Sequence, residues 1–214
     1  MFVKKKMKSN QLKAAGISLI LGCFFMIVTM VLHPVGGDFD HLLSIITIGR
    51  ISHVIAILSL PFVAYGFWGL IEKLESTPLA RISFLFMLFG LIAVMFAAAV
   101  NGLILMDFVE SHEGASNEVI SSLSPFFKLI RSFNHAFDFI FIGAVCISTT
   151  LWSIAILKTK ALHQMLGWFG LFLTIIALGS LFSGFVFVDL FGFRIFIFGW
   201  VVWVVGTGLN LIKT

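Results

Sequence analysis

Six stretches of the chain are each apolar for about the length a helix needs to cross roughly 30 Å of hydrocarbon, which at 1.5 Å per residue takes about 20 residues. They run approximately from Ala14 to His33, Ile51 to Ile71, Ile82 to Met106, Phe133 to Leu157, Met165 to Phe187 and Ile195 to Ile212. Six such runs in 214 residues leave no room for a separate soluble domain. The expected fold is therefore all-α: a polytopic integral membrane protein, one bundle of six transmembrane helices. Composition points the same way, with 60% hydrophobic residues and 11% charged ones, against about 45–50% and about 25% in a soluble domain. The longest polar stretch, Asp107 to Pro125, reads as a connector with an amphipathic fragment at best. Leu42 to Ile48 is apolar but too short to span.

The first run has a basic leader, as a signal peptide would. It is nevertheless about 20 residues long and ends in His33-Pro34-Val35-Gly36 without a small-x-small cleavage pattern, so it is expected to be a retained span. Charge then sets the orientation. With the N-terminus in the cytoplasm, Lys4, Lys5, Lys6, Lys8, Lys13, Lys73, Arg81, Lys158, Lys160 and Lys213 fall inside, and Arg50, Lys128, Arg131 and Arg194 outside. This is a positive-inside pattern with both termini cytoplasmic. Tyr65, Trp68, Trp152 and Trp168 fall near the inner ends, where an aromatic belt belongs. The basic excess is thus read as topology, and no nucleic-acid partner is expected. The two cysteines, Cys23 and Cys146, lie in separate apolar runs and read as inert packing residues.

Helices in a bilayer associate through small residues and polar contacts, because lipid tails are as apolar as leucine. Ala15, Ser18, Gly22, Thr29 and His33 share a face of the first span. Gly179 to Gly184 offers two overlapping small-xxx-small pairs in the fifth, which permit a helix contact or a homo-oligomer. Pro61 cannot donate to the Ile57 carbonyl and is expected to kink the second span.

Ionisable groups inside spans are costly and mark candidate sites. Arg131, Asn134, His135 and Asp138 follow one another at i, i+3, i+4 and i+7, on one face of the fourth span, and the stripe continues through Cys146, Thr149 and Ser153. His33, His53 (with Arg50 and Ser52), Asn101, Asp107 and the loop residues Asp38, Asp40 and His41 are the other candidates. From Lys13 to His33, Arg81 to Asn101 and Lys158 to Asp138 is 20 residues each, and from Glu72 to His53 is 19. At 1.5 Å per residue, four helices carry a polar residue in one layer, about 28–30 Å from the inner anchors. His135 lies about one turn further out. A common outward-facing pocket needs such a layer, and the same depth disfavours the midplane site of alternating-access carriers.

The donors His33, His53, His135 and Asp138 suit a zinc site with one open position, although no paired-histidine motif accompanies them. Two histidines on different helices, His33 and His53, are also the arrangement that clamps a haem iron, but no second pair occupies the inner leaflet. His135 with Asp138 can act as a coupled imidazole and acid. The plainer reading is that Arg131, His135 and Asp138 neutralise one another, with Asn101 and His53 completing the hydrogen bonds.

The second span, from Ile57-Leu58-Ser59-Leu60-Pro61 to Tyr65-Gly66-Phe67-Trp68-Gly69, and the turn from Lys158-Thr159-Lys160 to Leu166-Gly167-Trp168-Phe169-Gly170, resemble an uncharacterised family of small bacterial inner-membrane proteins of about six spans. The resemblance implies a bacterial plasma-membrane location and transfers no activity. The expected function is a non-enzymatic binding, sensing or accessory role, with an outward-facing pocket for a small ligand, lipid headgroup or partner. The alternatives are a metal-dependent membrane hydrolase using His33, His53, His135 and Asp138, and a small transporter.

Overall fold

A computed structural model of the chain describes residues 7–213; Lys4, Lys5 and Lys6 of the basic leader lie outside the described residues. Among these residues there are helices and no strands. The helices are α1 (Ser9–Leu32), α2 (Phe39–Ser44), α3 (Ile46–Lys73), α4 (Pro78–Ala99), α5 (Leu105–Glu110), α6 (Asn117–Ser122), α7 (Ser124–Thr159), α8 (Gln164–Phe182) and α9 (Leu190–Ile212). A π-helical turn, Val100–Ile104, joins α4 to α5 without a break. Five helical stretches are long and apolar enough to cross a membrane: α1, α3, the continuous run Pro78–Glu110, α7 and α9. The apolar run of α8, Gln164–Ser180, is shorter.

The early end of α8 has a local cause. Gly184 takes a left-handed conformation at φ +85°, and the Phe185 amide donates back to the Ser180 carbonyl at 2.9 Å. That is the closure of a Schellman motif, which stops a helix and satisfies its last carbonyls. The Gly179–Gly184 stretch therefore terminates a helix, and a β-carbon on Gly179 would meet nothing within 4 Å. Within the chain, the small-residue contact expected at Gly179 and Gly184 is not made.

On α1 the small face does pack. Ala15, Ser18, Gly22 and Thr29 are buried, with α3 along one side and α9 along the other. Gly16 and Gly208 face each other across α1 and α9: a β-carbon on Gly16 would lie 2.5 Å from the Gly208 carbonyl oxygen, and one on Gly208 would lie 2.8 Å from that of Gly16. Ser18 Oγ donates to the Phe62 carbonyl of α3 at 2.9 Å, and Thr29 Oγ1 to that of Ser52 at 3.3 Å. α3 runs through Pro61 as one helix. α4 packs on α7, and α7 also carries α8.

The start of α1, the α3–α4 turn and the end of α7 meet at one end of the bundle, where the His163 amide before α8 also donates to Asn210 Oδ1 of α9 at 3.3 Å. This basic end is sealed by aromatic packing. Phe67 stacks on Trp152 at a centroid separation of 4.4 Å, and Trp203 joins the same stack. Each indole reaches a backbone acceptor, Trp152 the Ala80 carbonyl and Trp203 the Leu166 carbonyl. Trp152 is 0% exposed, so it belongs to the core and not to an interfacial belt. Tyr65, Trp68 and Trp168 are the exposed members of the expected set.

At the opposite end the helices continue past the apolar runs. α7 begins at Ser124 and the third run reaches Glu110, so much of the Asp107–Pro125 connector is helical. Phe39 and Leu42 of α2 bury against Met106 and Val109 of α5 to form a second small core. Arg50 ties α3 to α5 through Glu110 at 2.6 Å and Asp107 at 3.6 Å.

Candidate functional site

Between the main bundle and this second core, a cavity of about 120 Å³ opens among α1, α3, the α4–α5 run, α7 and the start of α9. His33, His53, Asn101, Asn134 and Asp138 all line it, as do Thr29 and Asp189. Its walls are otherwise apolar, including Met30, Ala56, Val94, Ala98 and Phe193. Space that holds one water is about 10–15 Å³ by the same measure, so several small atoms fit.

The two histidines are held by backbone close to them in sequence. His53 is 5% exposed, and its Nδ1 meets the Gly49 carbonyl one turn back at 2.7 Å. Just beyond the end of α1, His33 Nδ1 meets the Pro34 carbonyl at 2.9 Å. A carbonyl only accepts, so both rings carry their proton on Nδ1, and in the neutral imidazole Nε2 is then a lone pair. The two rings lie 4.7 Å apart at 57°. That separation admits no macrocycle between them, so the pair does not fit a haem sandwich.

The π-helical turn positions Asn101. An extra residue in the turn shifts the helix register, a feature common at functional sites. It also brings Gly102 against the histidine: a β-carbon there would lie 2.0 Å from His53 Cβ and 2.3 Å from Cγ. Asn101 Nδ2 donates to Asn134 Oδ1, and Asn134 Nδ2 donates to Asp138 Oδ2 at 2.8 Å. The chain of donors has one direction and ends on a carboxylate that is 8% exposed.

Arg131 and His135 are exposed, and neither forms an ion pair with Asp138 among the described residues. The inward stripe of α7 runs through Asn134, Asp138, Phe141 and Val145. His135 is one residue, about 100°, round from Asn134. Deeper along that flank, Ile142 and Cys146 face the α8 side, but α8 has ended before the level of His135. Arg131 lies a further turn out. The four-ligand set His33, His53, His135 and Asp138 is thus not assembled, and no three His, Cys, Asp or Glu side chains among the described residues are grouped to hold a metal ion. Mutual neutralisation of Arg131, His135 and Asp138 gives way to the amide relay from Asn101.

Asp189 and Arg194 were not among the expected site residues. Asp189 caps α9, accepting from the Gly192 amide at 2.7 Å, and an Asp at the head of an apolar run is a readable capping signal. Arg194 Nη2 donates to the His33 carbonyl at 2.8 Å. A larger concavity, about 720 Å³, lies between α7, α8 and the loop after Gly184. It is almost wholly apolar and has no set of convergent polar groups to orient a ligand.

Comparison of the chain with protein-family models, with curated proteins and with solved structures gives no match.

Proposed function

We propose that the chain is a six-span membrane protein of a bacterial plasma membrane, both termini cytoplasmic, whose outward-facing polar cavity binds a small ligand without chemical conversion. The sixth span in this reading is α8, which packs along α7 and whose 19 residues cover about 28 Å. Orientation rests on Lys8, Lys13, Lys73, Arg81, Lys158, Lys160 and Lys213 gathering at the basic end, and the bacterial location on the resemblance of the second span and the turn into the fifth.

The observation that carries the reading is the convergence of polar side chains from four helical stretches on one cavity. Three of them, His53, Asn134 and Asp138, hold geometry through bonds to their own helices or to each other, which leaves polar atoms for an occupant. Pockets with an apolar wall and a few fixed polar groups are the usual form of small-ligand sites.

Thermal unfolding of the purified protein against a panel of small polar metabolites and soluble lipid-headgroup analogues tests this. A saturable rise in Tm is expected that disappears in His53→Ala and Asp138→Ala and persists in His135→Ala, whose side chain is outside the cavity. A response lost equally in His135→Ala, or none across the panel, contradicts it.

A further inference from the structure

The cavity has a direction of hydrogen bonding. His33 and His53 each use Nδ1–H on a backbone carbonyl, so their Nε2 atoms accept. Asn134 spends its Nδ2 on Asp138 and receives Asn101 Nδ2 on its oxygen, so the relay presents the Asn101 oxygen and the Asp138 carboxylate. Thr29 gives its hydroxyl proton to Ser52. The polar groups on the wall therefore offer mainly acceptors, the second N–H of Asn101 and of Asn134 being the donors left over, and an occupant that supplies donors is matched best. Charge agrees in sign: Asp138 and Asp189 line the space, and Arg194, which is not among its lining residues, donates Nη2 to the His33 carbonyl.

The cavity also has an apolar continuation. A second space of about 50 Å³ shares Thr29, Met30, Ala56, Val94 and Phe193 with it and extends among Met26, Leu60, Leu91, Phe141 and Ile197. Across this shared wall an acceptor-lined space adjoins an apolar one, and the two are taken as one slot. Phe193 stands at the junction, where an aromatic face attracts a cation.

We infer that the slot takes a small amphiphilic amine: a protonated ammonium head held by the Nε2 atoms of His33 and His53 and by Asp138, with a short alkyl tail running toward Phe141 and Ile197. A bare metal ion is the poorer fit: no three His, Cys, Asp or Glu side chains among the described residues are grouped to ligate one, which needs donors about 2 Å from one centre, whereas hydrogen bonds to an ammonium reach about 2.7–2.9 Å. This assignment rests on the binding role proposed above.

Isothermal titration of the full chain in nanodiscs with butyl-, hexyl- and octylammonium chloride, the matching alkanoates, and zinc chloride alone tests it. Saturable binding of the ammonium series is expected, tightening with chain length, with alkanoates of equal length at least about tenfold weaker. Asp138→Asn, which can still accept from Asn134, is expected to weaken hexylammonium about tenfold or more, the usual size of a hydrogen bond to a charged group. Ala56→Leu, at the junction, is expected to remove the gain with chain length. Should Asp138→Asn fail to fold, the wild-type preference for ammonium over alkanoate decides alone. Equal or tighter binding of alkanoates, unchanged affinity in folded Asp138→Asn, or saturable zinc binding lost in His53→Ala overturns the amine assignment and leaves a ligand-binding cavity standing. No saturable binding by any of these, together with no response in the metabolite panel, overturns both.

Discussion

At Gly102 a β-carbon would collide with the His53 side chain at 2.0 Å, so one absent methyl group sets where the imidazole sits. Gly102→Ala is expected to cost about 1–3 kcal/mol, the range for overpacking a filled interior, and to push the ring across the cavity. Thermal unfolding and titration of the same sample check this, with both a lower Tm and a lost ligand response expected. The polar residues around Gly102 were legible in the sequence, because His33, His53, Asn101 and Asp138 are set at nearly one distance from basic anchors along helices of fixed rise. Gly102 itself was not, since a glycine in an apolar run has no signature until the turn that contains it is known. His135 was misread for a related reason. Periodicity puts it on the arc shared with Asp138, but which part of that arc is covered depends on where α8 stops.

Helices in this bundle come together where side chains are smallest. Gly16 and Gly208 place α1 and α9 backbone to backbone, with Ala15, Ser18 and Gly22 buried alongside. Gly208→Val is expected to destabilise by about 2 kcal/mol or more through forced separation, read as a lower midpoint of unfolding in denaturant. Gly199→Val, where a β-carbon would meet only Leu173 Cδ2 at 3.9 Å, is expected to change little. The small face of α1 was visible from spacing alone, because every fourth position repeats on a helix. In α8 the same spacing signified termination, since Gly184 supplies a left-handed residue and not a packing surface. The π-helical turn lies outside any periodic pattern, and with it went the length of the third run, which continues to Glu110. Trp152 was assigned to a belt by its position along α7. Its partner Phe67, on a different helix, draws it into the core.

Over the whole molecule, polarity is separated by depth. Basic residues and a stacked aromatic layer hold one end, while the other carries acceptors above an apolar slot and a small capping core made by α2 and α5. Apolar surface cannot drive helices together in lipid, so these layers fix how the helices align. The relay from Asn101 to Asp138 does so between α4–α5 and α7, and the Thr29 bond to Ser52 between α1 and α3. In the proposed role this acceptor-lined space is open to the outer face and prefers cations. Ala98, which is buried on its wall, tests all of that when replaced by cysteine in a background with Cys23 and Cys146 changed to alanine. The measurement is the rate at which external aminoethyl and sulfonatoethyl methanethiosulfonate modify Ala98→Cys in intact cells or right-side-out vesicles. Modification from outside is predicted, with the cationic reagent the faster and slowed by hexylammonium. An unreactive thiol, one modified only when the inner face is exposed, or a faster anionic reagent would contradict the account.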